Sequence, residues 1–300
     1  MQTNATAPGQ AGYAGQVVTK PPDWHSLVVF DILFNNLTTG LFLVAAVGEL
    51  AAPAVFTSVA TWAYPIALVL LLIDLGLLVL DLGDKLRFHH MLRVFKPSSP
   101  MSLGTWCLTV YSLFLTAIIA VEFVVAAGWL PGDAGLAWWV RKVAVVVGIP
   151  FAFGSAAYKG VLFSTTAQPG WKDARWLGAY LVNSALLLGA GQLLVLAAVS
   201  GEARAVDVLV PVVGLLAVLN LVPLGLLAND LQPVLSRLYS RRNRAVAGAS
   251  VFAAGVAIPV GLLLVGSGLV IASIVLTAIV LANLGIRFVI VRLPHLAAQH

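Results

Sequence analysis

Charge is scarce in this chain of 300 residues, of which 10% are charged and 60% hydrophobic. A soluble domain carries about 25% charged residues and about 45–50% apolar ones. So few charges cannot cover a water-facing surface, and a soluble protein is excluded. Cysteine is nearly absent too. Cys107 stands alone, so no disulfide forms within the chain and no cysteine cluster holds zinc or an iron–sulfur centre. The histidines are His25, His89, His90, His295 and His300, and none falls midway along an apolar block. A membrane cytochrome of the b type needs axial histidines facing each other inside its bundle. Haem in this chain is therefore not expected, and any redox metal belongs to a partner. Residues 1–20, the main part of an N-terminal segment over 1–26, are polar and Gly/Ala-rich and lack the charged-then-apolar order of a signal peptide. They read as a flexible tail.

What the chain has instead is long apolar blocks, each about the length that crosses a hydrocarbon core of roughly 30 Å. They predict spans at 27–50, 58–81, 103–127, 141–163, 176–199, 207–229, 245–266 and 268–291. All must be helices, because in lipid each backbone N–H needs a partner within its own segment. The expected fold is all-α and integral to the membrane, with a domain over 27–292 and a C-terminal tail over 293–300. Gly266, Ser267 and Gly268 make a tight hairpin between the last two spans. An even number of spans puts both termini on one side, here called the terminal face. Of the Lys and Arg residues, 14 fall nearer that face and 3 (Arg141, Lys142, Arg204) nearer the other. The positive-inside rule then makes the terminal face cytoplasmic. The basic loop with Lys85, Arg87, Arg93 and Lys96, and the cluster Arg237, Arg241, Arg242 and Arg244, also suit the docking of a partner.

A charge at bilayer depth costs about 2.5–3.5 kcal/mol on insertion scales, so each one needs a reason. Asp31 lies about one turn into span 1 from the terminal face, with Asn35 and Asn36 a turn deeper. Asp74 lies about two turns inside that face on span 2, and Asp81 follows at i+7 on the same side of the helix. Asn183 and Asn283 sit at similar depth. Tyr158 and Lys159 end span 4, and Lys159 is expected to snorkel to the headgroups. The opposite half is mostly Leu, Val and Ala, apart from Glu49 and Glu122 near the far ends of spans 1 and 3. Amides often serve as interhelical glue. An isolated carboxylate is a costly glue, so Asp31 and Asp74 read as functional. Asp81 suits either a helix cap or a proton relay, as do Glu49 and Glu122 for reaching water or relaying protons. His90, just outside span 2, is a titrating imidazole beside the carboxylate zone.

The loop after span 2 reads Asp81-Leu-Gly-Asp-Lys-Leu-Arg87-Phe-His-His90-Met-Leu-Arg-Val-Phe-Lys96-Pro-Ser-Ser-Pro100-Met-Ser-Leu-Gly104. It resembles the signature loop of the polysulfide reductase membrane-subunit family, the NrfD/PsrC-like proteins. The stretch from Trp24 to Leu43 resembles that family's first helix, and Ala157-Tyr158-Lys-Gly160 resembles its Tyr-x-Gly segment. One departure is visible: after Gly83 the family usually has Arg-Pro, and this chain has Asp84-Lys85.

The resemblance implies two four-helix bundles and a membrane anchor with no redox centre of its own. Such an anchor exchanges electrons between a quinone, menaquinone or ubiquinone, and a four-cluster iron–sulfur subunit that joins a molybdopterin catalytic subunit. It implies quinone contacts at Asp31 and Tyr158, an acidic relay position at Asp74, and the signature histidine at His90. A headgroup site is expected between spans 1, 2 and 4, with Asp31, Tyr158, His90 and Asn35 binding the quinone and Asp74, Asp81, Glu49 and Glu122 as relay candidates. The surroundings are membrane lipid and protein subunits, not nucleic acid. In well-known relatives the partner sits outside the cell on the face with this loop, whereas the charge count here favours a cytoplasmic one. The rival classes are a secondary transporter or proton channel, and a purely structural anchor. Against the first, the polar residues leave a gap before Glu49 and Glu122. Against the second stand Asp31 and Asp74.

Overall fold

The computed structural model describes residues 22, 24, 26–132 and 135–297. Most of the expected N-terminal tail, with His25, and also His300, lie outside these residues. The helices in chain order are α1 Ser26–Ala51, α2 Pro53–Asp81, α3 Pro100–Ala126, α4 Gly135–Ser164, α5 Leu177–Val199, α6 Ala203–Leu219, α7 Leu221–Leu238, α8 Arg241–Phe252, α9 Ile258–Val265 and α10 Leu269–Ala297. With α6–α7 and α8–α9 each taken as one continuous run, eight helices are long and apolar enough to cross a membrane. The chain is a multi-pass membrane protein, all-helical among the described residues.

Two of these runs are interrupted, and proline explains both. Pro223 has no N–H to give to residue 219, and the chain turns at Asn220 between α6 and α7. Asn183 of α5 satisfies the break, donating to Leu216 O at 3.4 Å and to Asn220 Oδ1 at 3.0 Å. Likewise Pro259 cannot donate to residue 255. The backbone before it slips into one π-helical turn over Ala253–Ala257, with Ile258 N–H bonding Ala253 O. The sixth run extends to Leu238, well past the expected 229. Helix α10 also continues through residues 293–297, where a tail is expected. Leu293 is fully buried there, against the turn at Gly170, whose φ of 81° suits glycine.

Helices α1 and α5 are the centre. Their apolar windows are 72% and 56% buried, while the other six span 17% to 39% because they face lipid. Burial in the bundle explains why α1 holds Asn35, Asn36, Thr38 and Thr39 without exposing them. The two helices cross at Gly40 and Gly189. A methyl on either glycine would collide with the backbone of the other helix, which is the close approach that small residues permit. Asn36 donates to Leu181 O at 2.7 Å and Gln192 to Leu37 O at 3.1 Å, so the crossing is also hydrogen-bonded. Helix α1 packs on α2, α4, α5 and α10, and α5 packs on α4, α6 and α10. These contacts run across any line between the first four and last four spans, so they do not by themselves divide the molecule into two bundles.

Candidate functional site

At the terminal-face end of α1, α2, α3 and α4 lies a partly open cavity of about 270 Å³. Its polar lining is Asp31, Asp81, Thr105, Tyr158 and Lys159, and its apolar walls include Val28, Leu78 and Leu162. Met91 and Met101 close it from the loop side. Trp24 covers a further edge, held in an aromatic stack with Phe163 and Trp171 at ring distances of 4.4 to 5.6 Å. Trp171 Nε1–H donates to Ile290 O at 2.8 Å, which ties that stack to α10.

The cavity's polar end is built around Lys159. This residue does not snorkel outward; its side chain is buried and stands 2.8 Å from Asp31 Oδ1 and 3.5 Å from Asp74 Oδ1. The reason is local. Ser155 and Lys159 lie at i,i+4 on α4 and face Asp31 and Asn35, which lie at i,i+4 on α1. Asn35 Nδ2 donates to Asp74 Oδ2 and to Ser155 Oγ, each at 3.1 Å. An ammonium with two carboxylates at hand gains more from pairing than from reaching the headgroups. Two carboxylates and one ammonium leave one negative charge over, which a single proton balances. Asp31 and Asp74 are therefore not isolated charges but members of one buried ionic site.

Tyr158 lies beside this site because Gly104 of α3 gives it room. Its ring occupies the space that a Cβ on residue 104 would need. The Gly104 of the signature loop and the Tyr158 of the second similar stretch are thus one packing unit. Thr105, next in sequence, then lines the cavity.

Two other buried polar groups lie away from the cavity. In the first, Arg287 of α10 is 1% exposed and donates to Asn283 O, Asn283 Oδ1 and Ser184 Oγ at 2.9 to 3.0 Å. Tyr180 donates to the same Asn283 Oδ1 at 2.8 Å, and Asn36 shares Ser184 Oγ at 3.1 Å. In the second, at the opposite end of the first four helices, Arg141 binds Glu49 closely and reaches Glu122 at 3.2 Å. Lys142 reaches Glu49 at 3.5 Å, and Tyr64 donates to it at 2.8 Å. Glu49 and Glu122 are thus ion-paired within the protein.

Of the residues singled out in the sequence, Asp31, Asp81 and Tyr158 line the cavity. Asp74 and Asn35 stand one layer deeper, linked to it through Lys159. His90 does not line it. Residues 85–92 form a 3₁₀ helix with about 120° between successive side chains, so Met91 turns inward and His90 is exposed against His89. Lys85, Arg87, Arg93, Lys96, Arg237, Arg241 and Arg242 are exposed, whereas Arg244 is only partly so. Arg87 pairs with Asp84 at 2.9 Å. Two of the charges counted toward the terminal face, Lys159 and Arg287, are interior groups rather than loop charges.

Sequence reasoning missed Lys159 as the hub, Trp24, Met91, Met101 and Thr105 as lining, and Arg287. The matched i,i+4 pairs on α1 and α4, and Asn283 four residues before Arg287, are the signals that point to two of them.

Residues 18–294 match the family model described as "Polysulphide reductase, NrfD". No curated protein matches the chain.

Proposed function

The chain belongs to the polysulphide reductase NrfD family, which implies a membrane subunit of a reductase complex, and from that premise we propose that it is the quinone-binding subunit. It passes electrons between the quinone pool and an iron–sulfur partner, and a molybdopterin subunit completes the complex. The observation that carries this reading is the cavity, whose lining sets Asp31, Asp81, Thr105, Tyr158 and Lys159 against apolar walls.

The residues fit such a group. A cavity of about 270 Å³ is near the lower end of ligand pockets, roughly 300–1,000 Å³. It suits a headgroup whose apolar tail continues into lipid. A bound quinone supplies a two-electron, two-proton couple. Tyr158 and Lys159 are the donors for its oxygens, and Asp31 is the acceptor. The Asp31–Lys159–Asp74 site holds or gives up one proton, because its charges balance only when one is present. Asn35 and Ser155 hold Asp74 in reach of Lys159, and Asp81 stands at the cavity's outer end as the next acceptor. His90, exposed outside the cavity, is not a partner of the headgroup in this reading.

The exposed basic loop suits a docking surface. Lys85, Arg87, Arg93 and Lys96 alternate with Leu86, Phe88, Val94 and Phe95, whose exposures run from 51% to 85%. An apolar patch with a cationic rim is the make-up of a partner interface. Arg237, Arg241 and Arg242 lie on the same terminal face. We place that face, and hence the partner, on the cytoplasmic side.

The test is turnover of the complex with a menaquinol analogue, and binding of that analogue, for Asp31→Asn and Tyr158→Phe. At least a tenfold loss of turnover in each, with weaker binding for Tyr158→Phe, supports the site. Unchanged values in both variants remove it.

A further inference from the structure

A second cavity, of about 320 Å³, lies at the terminal face between the start of α1 and the end of α10. Trp24 is the wall it shares with the first cavity. Ser26 and Val29 line it from α1, and Phe288, Arg292 and His295 from α10. Its depth follows from the length of α10. From Leu269 to Arg292 the helix rises about 35 Å at 1.5 Å per residue. Arg292 therefore stands just beyond a hydrocarbon core of roughly 30 Å, at the level of lipid headgroups.

Arg292 is exposed, and its Cζ lies 5.7 Å from the centre of the Phe288 ring, a contact that keeps the cation at the cavity. Among the described residues it has no carboxylate partner, whereas on the same face Arg87 pairs with Asp84 and Arg175 with Asp230. Such a guanidinium presents a planar fork of donors that matches phosphate oxygens. Ser26, exposed at the head of α1, adds a hydroxyl from the other helix. His295 is a brace. Its Nε2 is 2.8 Å from Trp24 O, and because a carbonyl only accepts, this nitrogen carries the proton and ties the two chain segments together.

The membrane side of the cavity is apolar. Phe30 of α1 meets Phe288 edge to face with ring centroids 5.9 Å apart, and Phe30 is 37% exposed. One turn deeper on each helix, Phe34 and Leu284 are half-buried. A cation and a hydroxyl at headgroup level thus stand above exposed aromatic surface in the seam between two helices. Basic pockets between transmembrane helices are a known form of anionic-headgroup site.

We infer that this cavity binds an anionic phospholipid, with Arg292 and Ser26 on its phosphate oxygens and an acyl chain along Phe30 and Phe288. A free phosphate would use the cation but gain nothing from the exposed rings. A zwitterionic lipid brings its own cation beside Arg292 and is the poorer fit. The site is separate from the proposed quinone site, which lies on the other side of Trp24, and its occupancy can be read with no quinone present.

The test is native mass spectrometry of the full chain released from detergent micelles with added phosphatidylglycerol or phosphatidylcholine. Phosphatidylglycerol is expected to be retained at least fivefold more than phosphatidylcholine at equal concentration. Arg292→Gln is expected to lower that retention at least fivefold, and Arg204→Gln, at an exposed arginine on the opposite face, by less than twofold. Excess inorganic phosphate is expected to leave the lipid bound. Equal retention of the two lipids overturns the inference, as does unchanged retention in Arg292→Gln or an equal loss in Arg204→Gln. Displacement by phosphate overturns the lipid as occupant. Should Arg292→Gln fail to fold, Leu296→Trp, which fills the cavity from its lining, is expected to lower retention at least threefold, and no fall is the overturning result.

Discussion

The Lys159 ammonium of α4 stands 2.8 Å from the Asp31 carboxylate of α1, with both side chains less than a tenth exposed. A second carboxylate, Asp74 of α2, lies 3.5 Å from the same nitrogen. One cation thus joins three helices at the polar end of the cavity. Removing one partner of a buried ion pair leaves an uncompensated charge, which costs about 3–5 kcal/mol. Lys159→Met is expected to lower the melting temperature strongly in detergent. Adding Asp31→Asn to Lys159→Met should recover most of that loss, and a double variant as unstable as the single one would contradict the pairing.

The acids at the other end differ in burial, and their variants should differ too. Glu49 is 1% exposed and bound by Arg141, Lys142 and Tyr64, whereas the Glu122 side chain is 18% exposed and pairs with Arg141. Glu49→Gln strands most of the charge of two cations and is expected to cost several kcal/mol. Glu122→Gln is closer to a surface pair, at about 0–1 kcal/mol. Thermal unfolding of the two single variants checks the order.

The crossing of α1 and α5 depends on two missing side chains. Gly40→Leu would push a side chain into the backbone at Ala185, and it is expected to abolish a monodisperse protein. Gly76→Ala, which meets nothing within 4 Å, should be tolerated and gain up to about 1 kcal/mol from helix propensity. Size-exclusion profiles and melting curves read both.

Eight spans fix which loops share a face. With Cys107→Ser as background, Arg87→Cys and Arg242→Cys are expected to react with an impermeant maleimide from the same side of sealed vesicles. Gly132→Cys, between α3 and α4, should react only from the other side. Labelling of Gly132→Cys together with Arg87→Cys would overturn the span order.

Eight apolar blocks, the scarcity of charge and the signature loop were legible because the bilayer allows only one economical way to house a spanning chain, and length alone counts the crossings. The candidate acids were legible for the same reason: Asp31 and Asp74 are conspicuous where charge is costly. Which cation answers them was not, since Lys159 sits close enough to an interface for either snorkelling or pairing. The choice depends on which α4 face meets α1. His90 and Met91 show the limit again, as neighbours in sequence whose inward and outward positions follow from a 3₁₀ turn.

The sequence by itself determined that this protein lives in the membrane, how many times it crosses, and which end of it is polar. Those facts follow from the cost of leaving backbone or charge in lipid, which depends on residue type and spacing alone. Only the tertiary structure decided that Lys159 joins Asp31 to Asp74, that Gly40 meets Gly189, and that Arg287 reaches Ser184. Each of these is a contact between helices far apart in the chain, and packing, not periodicity, sets which faces meet.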